Sequence, residues 1–160
     1  MFQVGDWVVY PMHGAGVIQA IEEREVLGER RRYYVLSVRG GNIKVMVPVD
    51  GADRCGLRAV LPREEFRRVL DVLRQQGEAP VLATNWNRRF RANVEKLKSG
   101  DPYAVAEVVR GLARRERDRG LSSGERKMLE SARQILESEL ALIEGVGEAE
   151  AHAELDRLLA

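Results

Sequence analysis

Residues 43–77, IKVMVPVDGADRCGLRAVLPREEFRRVLDVLRQQG, decide the fold, because the grammar of the chain changes inside them. IKVMVP is apolar and β-branched on both faces, with Lys44 as its single charge, and reads as a strand. Twenty residues further on the period is different. Pro62 stands near a helix start, Phe66, Val69, Leu70 and Leu73 recur at helical spacing, and Gly77 lies past the expected end. A boundary is therefore expected within GADRCGLRAVLP, with a β module over residues 1–55 and a helical module over 61–160.

Upstream, VGDWVVY alternates, PMHGAG punctuates, VIQAIEEREVLG resumes and RRYYVLSV follows, before the GGN turn. Gly, Pro and Asn separate β-rich runs at intervals of about 8–12 residues. Five short strands in roughly 55 residues make a small, curled, barrel-like sheet whose modest core favours docking on something else. The strand at 43–48 has two readings. It is a central strand or a satisfied edge, the preferred reading, or an open edge that pairs with a partner's sheet.

Downstream, NRRFRANVEKLKSG reads as a helix with Phe90, Val94 and Leu97 on one face and Gly100 as its terminator. Before it, GEAPVLAT reads as a loop with Pro80. Asp101 caps a following helix with Pro102 at its first position. Ser122 and Glu125 have capping-box spacing at the start of another. AEAHAELDRLLA is a short, acidic last helix. The expected class is α+β, a β module followed by about five helices.

Apolar residues make up 44% and charged residues 32% of the 160, the composition of a globular chain. No apolar run approaches the ~20 residues of a membrane span, and no signal-peptide pattern opens the chain, so a cytoplasmic protein is expected. Cys55 is the single cysteine and excludes an internal disulfide. The net charge of +1 hides an asymmetry: residues 86–133 carry a net +6 and residues 134–160 a net −6. A concentrated basic block is a footprint for phosphate, and equally the mark of a solvated helical surface.

Catalytic chemistry finds no support. His13 and His152 have no metal-ligand spacing with each other or with Cys55. HGAG lacks the Walker lysine and a full GxGxxG, and reads as a tight turn. An enzyme is not expected, and neither a metal nor a cofactor.

The remaining signal is Trp86, in TNWNRRFRANV, followed by Arg88, Arg89 and Arg91. Trp86 lies four residues before Phe90. It either joins the apolar stripe as a staple or projects beside the arginines. In the second case a flat apolar surface on a positive face suits insertion at a weakened base step while arginines hold phosphates. Lys96, Lys98, Arg110, Arg114, Arg115, Arg126 and Lys127 extend the basic surface.

VGDWVVYPMHGAGVI, YYVL and VMVPVD resemble the N-terminal domain of the CarD/CdnL family of bacterial transcription regulators, a module also similar to the polymerase-interacting domain of the transcription–repair coupling factor. NWNRRFRANVEKLKSGD, AEVVRGLARRERDRGLSSGERKML and ARQILESELAL resemble the helical half of the same family. The resemblance covers nearly the whole chain. It implies a Tudor-like β domain that binds the β1 lobe of the RNA polymerase β subunit, partly by strand pairing. It implies a helical domain that contacts promoter DNA near the −10 element, at the upstream edge of the bubble, where a tryptophan wedge stabilises the open complex. Residue by residue, it assigns Arg24 and the strand residues Lys44, Met46 and Val47 to polymerase. Some members carry a basic residue where this chain has Met46. To DNA it assigns Trp86, Arg88, Arg89, Arg91 and Arg126, with Asn85 fixing the helix start. A monomer is expected. The rival readings are a free-standing, non-specific architectural DNA-binding protein and a pure protein adaptor.

Overall fold

The computed structural model describes residues 1–38, 42–75 and 85–160. Strands β1 (Trp7–Tyr10), β2 (Gly14–Val26), β3 (Glu29–Val38), β4 (Ile43–Pro48) and β5 (Arg58–Ala59) come first. Helices α1 (Arg63–Arg74), α2 (Trp86–Lys98), α3 (Pro102–Arg119), α4 (Ser123–Glu144) and α5 (Glu148–Leu159) follow. Gly40 and Gly41 of the expected GGN turn, Gly77, and the expected loop with Pro80 lie outside the described residues.

The strands form one antiparallel sheet in the order β4-β3-β2-β1-β5. It stays open. β5 has only two residues and pairs with β1, which is too little to carry the sheet round to β4. β2 and β3 make a long hairpin turned by Leu27 and Gly28 at φ 53° and 80°, the positive-φ pair that matches strand twist. Of the expected central or satisfied edge strand over 43–48, the central position is corrected: among the described residues β4 is an edge. Its side chains still alternate, with Lys44 and Met46 exposed and Val47 fully buried. Pro48, which has no N–H to offer a ladder, suits such an edge.

HGAG is also corrected. The turn is Pro11–His13, and Gly14 to Gly16 already belong to β2. The glycines there serve close packing: a Cβ on Gly14 would lie 2.6 Å from Ser138 Oγ, and one on Gly16 would lie 2.6 Å from the Ser37 carbonyl oxygen.

Two cores result, and the buried middle of β1, Val8 and Val9, contributes to both. Val8 joins Ile18, Tyr34, Leu36, Val38 and Val47 in the β core. Its neighbour Val9 points the other way and packs with Leu97, Val105, Ile135 and Leu136 of the helices. A polar clamp ties the modules at the same place. Glu139, on α4, is fully buried and takes both arms of the Arg58 guanidinium at 2.6 and 2.8 Å. The Leu61 backbone N–H donates to the same carboxylate at 2.9 Å, and the Ala15 N–H donates to Ser138 Oγ at 2.9 Å.

The helix starts follow local chemistry. Asn85, Asp101 and Ser122 cap α2, α3 and α4 with side-chain oxygens. Gly100 follows α2 at φ 77° and closes it.

Candidate nucleic-acid interface

The Asn85 side chain accepts the Asn87 N–H at 2.8 Å, which starts α2 at Trp86 and fixes where its side chain leaves the backbone. The indole then stacks on Phe90, one turn on, with centroids 4.9 Å apart and planes 17° from parallel. Its Nε1–H donates to Ser122 Oγ at 3.2 Å and to Glu125 Oε1 at 3.1 Å. Gly124 lies against this stack, where a Cβ would sit in ordinary van der Waals contact with both rings, at 3.6 and 3.8 Å. Trp86 nevertheless remains 41% exposed. The two readings of this tryptophan are thus both partly realised, with one part of the ring packed and another open to solvent.

The arginines divide. Arg88 and Arg91 are exposed, on the side of α2 away from the buried Leu97. Arg89 is half-buried and turns to Glu125, with Nη2 3.9 Å from Oε2. Arg115, from the end of α3, approaches the same oxygen at 3.9 Å. Arg126 is exposed at the start of α4 and donates to the Leu121 carbonyl at 3.3 Å. Trp86, Asn85, Arg89 and Glu125 therefore share one corner of the helical module, formed by the starts of α2 and α4 and the end of α3. Glu125 is 3% exposed. The capping-box spacing finds this glutamate as a helix-start residue, yet nothing in that spacing tells that its carboxylate faces the indole.

Arg24, Lys44, Met46 and Val47 lie on the other module. Arg24 is exposed on the β2–β3 hairpin, opposite Arg31 and bonded to Glu22 at 2.9 Å. Lys44 and Met46 present side chains from the β4 edge. The Val47 side chain is sealed in the core, and its backbone is paired with Tyr34 of β3. Met46 is 41% exposed.

Among the described residues, no group of three or more His, Cys, Asp or Glu side chains gathers in a metal-binding arrangement. No described helix is long and apolar enough to cross a membrane.

A β module with an edge strand, clamped to a helical module that carries a half-exposed tryptophan near arginines, defines a two-module class of protein. Residues 2–61 match the CarD-like/TRCF RID domain, and residues 68–156 match the CarD C-terminal domain. The chain belongs to the CarD family of transcription factors. It is 40% identical over 148 residues to the Bacillus subtilis (strain 168) protein named "Putative transcription factor YdeB", covering 92% of this chain and 95% of that one.

Proposed function

We propose that this protein is a cytoplasmic regulator that binds the RNA polymerase β subunit at its β1 lobe through the β module, contacts promoter DNA near the −10 element through the helical module, and stabilises the open complex with Trp86. The observation that carries this reading is the indole, packed against Phe90 and bonded to α4 yet 41% exposed, with exposed Arg88 and Arg91 on the same helix. A ring held this way meets a weakened base step without first being ordered, and the guanidinium groups supply phosphate contacts. The β module supports the other half: among the described residues β4 is an edge strand, with Lys44 and Met46 projecting from it. The net −6 of residues 134–160 opposes phosphate binding by the free protein, so polymerase supplies the local concentration.

The test is the lifetime of open complexes formed by bacterial polymerase holoenzyme on a short-lived promoter. A wedge worth about 1.4 kcal/mol lengthens that lifetime about tenfold. Folded Trp86→Ala is expected to lose most of the gain. Equal action by both proteins sinks the DNA half of the reading.

A further inference from the structure

We infer that Glu125 is the positioning residue of Trp86, and that Arg89 and Arg115 serve this carboxylate as counter-charges. The inference rests on the proposed role of Trp86 and adds to it the device that aims the ring. A carboxylate buried to 3% exposure inside the most basic segment of the chain requires a reason. Its surroundings give one. Oε1 accepts the Trp86 indole N–H at 3.1 Å and the Ser122 hydroxyl at 3.2 Å. Ser122 Oγ in turn accepts the Glu125 backbone N–H and the indole N–H, both at 3.2 Å. Oε2 faces Arg89 and Arg115 at 3.9 Å each. The N-cap of α4, the first residue of α2 and the last turns of α3 are thereby joined through one side chain. Because Glu125 is fixed by its own helix cap, the indole it holds has one orientation.

This has a chemical consequence. The single polar atom of Trp86 is engaged inside the protein. The part left for DNA is ring carbon, which stacks or wedges and reads no base edge by hydrogen bonding.

Two measurements test the inference, the first without polymerase or DNA. In a Trp7→Phe background the Trp86 indole N–H is followed by hydrogen exchange and the ring by acrylamide quenching. The held indole is expected to exchange more slowly than a free one. Quenching is expected to rise toward that of an exposed indole in Glu125→Met, which keeps volume and helix propensity but has no carboxylate, and to stay low in Glu125→Gln, which keeps an acceptor oxygen. An N–H in wild type that exchanges like a free indole overturns the inference with no variant needed. The second measurement is open-complex lifetime. On net charge alone, removing a carboxylate from a basic surface strengthens phosphate binding, so Glu125→Met would act like Glu130→Gln, the exposed control on the same helix. Positioning predicts the opposite sign: Glu125→Met falls most of the way to the Trp86→Ala lifetime, and Glu125→Gln restores it. A Glu125→Met lifetime at or above wild type overturns positioning while Trp86→Ala still loses the gain. If Trp86→Ala itself retains the gain, the function proposed for Trp86 fails, and the exchange and quenching results alone decide whether Glu125 holds the ring.

Discussion

Arg88, Arg89 and Arg91 stand within four positions of one another, yet their surroundings differ, and on the proposed function so do their tasks. Arg88 and Arg91 are exposed, whereas Arg89 is half-buried beside a carboxylate. Their substitutions should separate accordingly. Arg88→Ala and Arg91→Ala leave the fold intact within about 0.5 kcal/mol and each lowers the salt slope of polymerase-dependent DNA association by roughly one, as lost phosphate contacts do. Arg89→Ala destabilises by about 1–2 kcal/mol, because it leaves Glu125 with one counter-charge fewer in a buried setting. Salt titration of complex formation beside chemical denaturation of the free protein reads both, and an Arg89→Ala protein with wild-type stability and a reduced slope contradicts the division. Sequence spacing groups the three arginines because it sees only residue type. Which of them turns inward depends on Glu125, more than thirty residues away. The same limit holds for Trp86, whose four-residue spacing to Phe90 is legible while its hydrogen bonds to α4 are not.

β4 makes the corresponding point at the level of the element. Its strand character follows from IKVMVP, and its alternation puts Val47 inside and Lys44 and Met46 outside. Its place in the sheet does not follow, because strand order depends on which hairpins form and where the sheet stops. Here β5 is too short to close the sheet, and β4 is left as an edge. The helices were more legible: Asp101 and Ser122 cap where residue type alone puts them, and Gly100 stops α2, while Asn85 as the start of α2 came from the resemblance. On the proposed function, Lys44→Glu with Met46→Glu changes only exposed side chains. Thermal unfolding is expected to shift by about 1 kcal/mol or less for the pair. Association with a polymerase β-subunit fragment, followed by biolayer interferometry, is expected to weaken at least tenfold. Undiminished association would remove β4 from the interface.

Across the whole molecule, the joint between modules matters most, and it is the least legible part. Glu139 sits in ARQILESELAL, two residues after Glu137, where a glutamate on a long helix reads as a solvated charge. Burial comes only when Arg58 and the Leu61 N–H close over it. Breaking one side of such a pair leaves a desolvated charge behind, so Glu139→Ala is expected to cost about 3–5 kcal/mol. Arg58→Met combined with Glu139→Leu should recover much of that, since apolar pairs of similar volume replace buried ion pairs at little cost. Urea denaturation of the two variants checks the order; a double variant less stable than Glu139→Ala would contradict it.

The clamp has a geometric corollary. DNA is a screw that turns once in about 10 base pairs, so each base pair rotates the groove by roughly 35° about the axis. On the proposed function, a protein whose polymerase-facing edge and indole are joined through the Glu139 clamp behaves as a caliper: it reaches one distance and one angular face of the duplex. On this account a promoter is selected by phase, through which base step the enzyme presents at that angle, and a one-base-pair insertion between the polymerase's anchor and the bubble edge would mute the protein without altering a single base it touches.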